Sequence, residues 1–223
     1  VRLMMGLVAT HPISVSFTGD DSLTSRPMKR VTIPLEQFGA TFEGNDKGTL
    51  PITVIGTDNP LPITYELPVA SAQVKSAVML AGLNTPGRTT VIEKIPTRDH
   101  SERIFNYFGV PVEQDGDQIH VTGHAELKAK TMAVPADPSS ASFLIVAALI
   151  CEGSDISIKN VGINPARTGL YTTLMEMGGD ITLENERQEC GEDVADIRVK
   201  YSKLKGIKVP HERAPSMIDE YPI

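Results

Sequence analysis

In the stretch PVASAQVKSAVMLAGL (68–83), Ser71, Gln73 and Lys75 interrupt the first turn of an otherwise apolar helical pattern, with Val74, Ala77, Val78 and Ala81 at i, i+3, i+4 and i+7. A helix start leaves backbone N–H groups unpaired and carries partial positive charge. A hydroxyl, an amide and an ammonium there suit a phosphate or a carboxylate. Ser71 and Lys75, four residues apart, share a face. Arginines stand just ahead of three further helix-like segments, Arg26 in TSRPMKR, Arg98 in TRDHSER and Arg167 in PARTGLY. Taken singly, each has an ordinary explanation as a cap or a surface pair. Among the acids, Asp99 and Asp137 read as helix caps, Asp99 together with Glu102 as a capping box. Asp219 differs, because APSMIDEYPI places it beside Glu220 in an apolar setting where desolvation raises a carboxyl pKa toward general acid–base use. His100 reads as an exposed residue at a helix start. No Ser-His-Asp set and no phosphate-binding glycine loop is present.

The elements that must position these groups recur. A large apolar residue followed by glycine closes a helix-like segment at Phe38-Gly39, Phe108-Gly109 and Met177-Gly178, the glycines lying 70 and 69 residues apart. SAQVKSAVMLAGL and SSASFLIVAALI align at the same 69-residue offset, Ser71-Ala72 on Ser140-Ala141. Each copy reads helix, strand, helix, strand, strand. Alternation in Ile13/Val15/Phe17, Ile119/Val121, Ile156/Ile158 and Ile197/Val199/Tyr201 predicts half-buried strands, and Asp137-Pro138 predicts a capped helix start. The pattern is mixed α/β with helices inside and sheets outside, since SFLIVAALI is apolar on nearly every face and belongs at a centre. In MAVPADPSS a short strand runs into Pro-Asp-Pro, which predicts a domain boundary near residue 135.

Composition narrows the function classes. The chain has 223 residues, 40% of them apolar, and a net charge of −7. It is expected to be a cytoplasmic globular protein without membrane span or signal peptide, and with little general affinity for nucleic acid. Cys151 and Cys190 form neither a disulfide framework nor a zinc site, and no metal cluster is expected. A clamp-like, non-catalytic repeat module around nucleic acid needs basic central helices; 71–83 and 138–150 carry one lysine between them.

The motifs GDDSLTSRPM, PVASAQVKSAVMLAGLNTPG, TRDHSE, PADPSSASF, NPARTGL and RAPSMIDEYPI closely resemble the 5-enolpyruvylshikimate-3-phosphate (EPSP) synthase family in its class II form, along the whole chain. The resemblance implies a two-domain inside-out α/β barrel of repeated βαβαββ units. Residues 1–134 would be part of the N-terminal domain and 135–223 part of the C-terminal one. It implies transfer of the enolpyruvyl group of phosphoenolpyruvate to the 5-hydroxyl of shikimate 3-phosphate, without a cofactor, by a monomer. Arg26 resembles the arginine that clamps phosphoenolpyruvate. Ser71, Ala72 and Gln73 resemble the segment that holds shikimate 3-phosphate, and Arg98 the arginine on its phosphate. Many relatives carry Ser where this chain has Ala72, and Arg98 compensates for that lost donor. Asp219 resembles the essential carboxylate beside the attacking hydroxyl. Other family site residues have no counterpart in these 223 residues, so the chain by itself is expected to be an inactive fragment. The sister enzyme acting on UDP-N-acetylglucosamine shares the repeat, but its loop cysteine has no counterpart here.

Overall fold

The computed structural model describes residues 1–223, which divide into two compact units, Val1–Ala129 and Lys130–Ile223. In the first, α1 (Arg2–Ala9), β1 (Ser14–Phe17), the single turn α2 (Asp21–Thr24), α3 (Lys29–Gln37), β2 (Thr41–Gly44) and β3 (Ile52–Ile55) precede a second set of elements. That set comprises β4 (Thr64–Glu66), α4 (Ala72–Leu83), β5 (Arg88–Ile92), α5 (His100–Tyr107), β6 (Val112–Asp115) and β7 (Gln118–Thr122). The second unit holds α6 (Pro138–Ile150), β8 (Asp155–Gly162), α7 (Gly169–Glu176), β9 (Asp180–Glu189) and β10 (Glu192–Lys200), then 3-10 turns at His211–Ser216 and Ile218–Glu220.

Each sheet belongs to one copy of the repeat. The strand orders are β1-β3-β2, β4-β5-β7-β6 and β8-β10-β9, antiparallel throughout except that β4 runs parallel to β5. A shift of 69 residues carries α5 onto α7, residue for residue. The middle copy is thus a whole βαβαββ unit. Its opening strand β4, three residues long, is not legible in the sequence. In the second unit the strand expected in MAVPADPSS does not form; only Ala136 pairs, as an isolated parallel bridge to Val161. The helix-closing glycines behave as predicted: Gly39, Gly109 and Gly178 have φ of 107°, 88° and 94°, left-handed values that a side chain would strain.

α4 is the hub of the first unit. Val74, Ala77, Val78, Met79 and Ala81 are buried, with α1 and α3 packed beside it. A Cβ on Gly6 would collide with the Ala77 carbonyl, so α1 meets α4 backbone to backbone. Its core joins Met5, Met28, Leu35, Phe38 and Val54, each fully buried side chain contributing about 1.5–3 kcal/mol relative to exposure. α6, expected at a centre, is covered on one face only. Ile145 and Leu149 pack on the β8-β10 side of their sheet, while Phe143, Leu144 and Ile150 remain exposed, because no helix of the second unit covers that side.

Candidate functional site

Ser71 takes the N-cap of α4 in extended backbone conformation (φ −154°), its Oγ accepting from the Val74 N–H at 3.4 Å. Ala72 begins the first turn and Gln73 follows it. The Gln73 amide oxygen accepts from the guanidinium of Arg2, which also donates to the Pro27 carbonyl at 3.1 Å. Arg2 is 8% exposed, and its Nε has no partner. Burial depresses its pKa, and the charges of Arg30 and Arg26 depress it further. Arg2, held to Gln73 at the start of α4, therefore feels the positive charges of the exposed Arg26 and Arg30, and none of the three is paired with a carboxylate. An oxyanion would relieve that repulsion.

Sequence reasoning missed Arg2 and Arg30. The signal for Arg2 was a charge inside the apolar run VRLMMGLVA; its contact with Gln73, 71 positions away, is tertiary. The structure corrects the reading of Lys75, which was expected to offer its ammonium to the same anion. Its side chain turns inward, 1% exposed, with Nζ 3.1 Å from Glu93 Oε2 and 2.7 Å from Glu102 Oε1. The capping box expected of Asp99 and Glu102 does not form either. Asp99 makes no side-chain cap bond and accepts from Arg103 Nε at 2.8 Å, while Glu102 is drawn to Lys75. Burial raises the Glu102 pKa despite that ammonium.

Arg98 is half-buried in the segment between β5 and α5. The segment is fastened to the helix one turn beyond Ser71 and Gln73, through Lys75 and through Ser76 Oγ, 2.6 Å from Ser101 Oγ. Gln73 is thus linked through Arg2 to Pro27, next to Arg26; Ser71 and Ala72 share their helix start, and the segment that carries Arg98 is held to the next turn.

Asp219 belongs to the second unit, on the 3-10 turn Ile218–Glu220. The apolar setting expected for it goes to its neighbour instead. Asp219 is exposed, whereas Glu220 is 4% exposed and accepts from Ser139 Oγ in the first turn of α6. The argument from desolvation therefore does not apply to Asp219. Asp137 caps α6 as predicted, accepting from Ser139 N–H and Ser140 N–H. Partial burial works against its charge, but bonds from Ser140 and Ser139 and the charge of Arg167 outweigh it and hold the carboxyl below its ordinary value. Arg167, read as an anion clamp, donates to Asp137 at 3.1 Å and to Ser139 Oγ at 2.6 Å, so a carboxylate of its own unit meets it.

A family model described as EPSP synthase (3-phosphoshikimate 1-carboxyvinyltransferase) matches residues 1–223. The chain belongs to the EPSP synthase family. Over its whole length it is 61% identical to the 3-phosphoshikimate 1-carboxyvinyltransferase of Paramagnetospirillum magneticum and 60% identical to that of Parvibaculum lavamentivorans, covering 51% and 50% of those proteins. A solved EPSP synthase from Acinetobacter baumannii matches 99% of the chain with a TM-score of 0.88 at 45% identity, over 50% of its own length. The chain thus spans about half the length of the EPSP synthases it matches, and its mixed α/β architecture is theirs.

Proposed function

We propose that the protein to which this chain contributes transfers the enolpyruvyl group of phosphoenolpyruvate to the 5-hydroxyl of shikimate 3-phosphate, releasing phosphate, on the path to aromatic amino acids. The observation that carries this reading is the buried guanidinium of Arg2, bonded to Gln73 at the start of α4, which with Arg26 and Arg30, whose charges act on it, makes a set of cations without a carboxylate partner. Both substrates are anions, and such a set both attracts and orients them. In this reading residues 1–134 are part of the N-terminal enolpyruvyl transferase domain and 135–223 part of the C-terminal one. The protein works as a cytoplasmic monomer without nucleic-acid or membrane partners.

Arg26 clamps phosphoenolpyruvate. Ser71, Ala72 and Gln73 line shikimate 3-phosphate, Arg2 fixing the Gln73 amide so that its NH2 faces the ligand, and Arg98 binds the substrate phosphate. Asp219 accepts the proton of the 5-hydroxyl as that oxygen adds to C2 of phosphoenolpyruvate and C3 takes up a proton. C3 then loses a proton, the C2–O bond to phosphate breaks, and the enol ether is left on the cyclohexene ring. Orientation of the two anions contributes to the acceleration, a term worth on the order of 7–11 kcal/mol in well-aligned systems. The test is phosphate release from phosphoenolpyruvate by the full-length protein, with shikimate 3-phosphate or UDP-N-acetylglucosamine as acceptor. Release with the shikimate compound alone is expected; release with the sugar nucleotide alone or with neither contradicts the proposal.

A further inference from the structure

Lys75 takes no part in the chemistry above, yet it is among the largest fully buried side chains of the chain. Its ammonium lies between two carboxylates that bracket one segment. Glu93 directly follows β5, Glu102 sits in the first turn of α5, and residues 94–101 between them carry Arg98. Two further bonds close the cluster: Thr97 Oγ1 donates to Glu93, and Ser76 Oγ meets Ser101 Oγ. The segment is therefore tied at its beginning and end to two adjacent residues of α4, and at its middle, through Thr97, to Glu93. Glu102 Oε2 is buried without a partner, so Lys75 is what makes this carboxylate tolerable there.

A buried ion cluster can simply be part of a scaffold, but the second unit argues otherwise. At the 69-residue offset Lys75, Glu93 and Glu102 correspond to Leu144, Gly162 and Tyr171, and the same helix-strand-helix arrangement is built there with no charged side chain at any of the three positions. The fold does not need the triad. What distinguishes the first unit is that its segment carries an arginine assigned to a ligand.

We infer that Lys75 is a positioning residue for shikimate 3-phosphate: clamped by Glu93 and Glu102, it sets the conformation of residues 94–101 and thereby the place of Arg98 relative to Ser71 and Gln73. The inference rests on the assignment of Arg98 made above.

Lys75→Met alone leaves two buried carboxylates unpaired and threatens folding, so the decisive variant in the full-length protein is Lys75→Met/Glu93→Gln/Glu102→Gln, which removes all three charges together. Calorimetric titration with shikimate 3-phosphate is expected to show about tenfold weaker binding. The KM for phosphoenolpyruvate should stay within about twofold and the thermal midpoint within a few degrees, with faster amide exchange across 94–101. Adding Arg98→Ala to the triple variant should then cost far less affinity than Arg98→Ala costs in the parent, because the cluster acts through Arg98. Unchanged affinity in the triple variant, or losses that add in full, overturns the inference. If the triple variant does not fold, Glu102→Gln is scored on the same readouts, an affinity loss of about two- to threefold with faster exchange across 94–101 supporting the inference and no change in either overturning it. A parent that does not bind shikimate 3-phosphate, or whose affinity is indifferent to Arg98→Ala, overturns the functional assignment and this inference with it. A parent that binds and depends on Arg98, but not on the cluster, overturns this inference alone.

Discussion

The two helix starts at α4 and α6 are built by the same repeat and solve the same electrostatic problem in opposite ways. At α6 an Asp137 carboxylate caps the helix and receives Arg167, so the cation and the N-terminal N–H groups are satisfied within the unit. At α4 the cap is the neutral Ser71, and the buried Arg2, on which the charges of Arg26 and Arg30 act, bonds Gln73 without a carboxylate partner. Helix geometry supplies the affinity for an anion in both places. At α6 the chain supplies that anion itself, and at α4 it does not, which is the difference on which the proposed binding role of α4 rests.

The comparison can be broken or sharpened by substitution in the full-length protein. The largest effect is expected from Asp219→Ala, with turnover falling about 10²- to 10⁴-fold while shikimate 3-phosphate affinity, read by calorimetry, changes little. Near-normal turnover would remove Asp219 from the mechanism. Next comes Lys75→Met, which orphans Glu93 and Glu102 and should cost about 3–5 kcal/mol in denaturant unfolding. Leu144→Met, at the matching position of α6, should cost under about 1.5 kcal/mol, and equal costs would mean that the two helices are not differently engaged. Arg26→Ala should raise the KM for phosphoenolpyruvate about 10- to 100-fold, the worth of a charge-assisted bond, in steady-state assays. The smallest effect belongs to the caps. Asp137→Ala should cost about 1 kcal/mol of stability near neutral pH. Because folding holds the Asp137 carboxyl below its ordinary value of 3.8, this contribution is complete above that pH and disappears as pH falls through the lower folded value; a denaturation series against pH checks the sign.

How much of this was legible follows from which contacts are local. The closing glycines, the Asp137-Pro138 cap and the alternating strands depend on neighbours within a few residues, and their patterns were readable, as was the 69-residue recurrence. Ser71 is a cap for the same reason. Lys75 was misread because its partners lie 18 and 27 residues on, and helical spacing from Ser71 gives a shared face but not what covers that face. Arg2 was missed because its partner Gln73 lies across the crossing of two helices. At Asp219 the apolar run misled, because Met217 is buried but Ile218 and Tyr221 are exposed, and the turn buries the adjacent Glu220, which Ser139 meets, while Asp219 stays outside.

The most direct test of the account is a calorimetric titration of shikimate 3-phosphate into the full-length protein and its Arg98→Ala and Arg167→Ala variants, two arginines that the repeat places at equivalent positions. The account predicts saturable binding to the parent, at least about tenfold weaker binding to Arg98→Ala, and affinity within about threefold of the parent for Arg167→Ala. Equal losses in both variants, or a parent that does not bind, would contradict it.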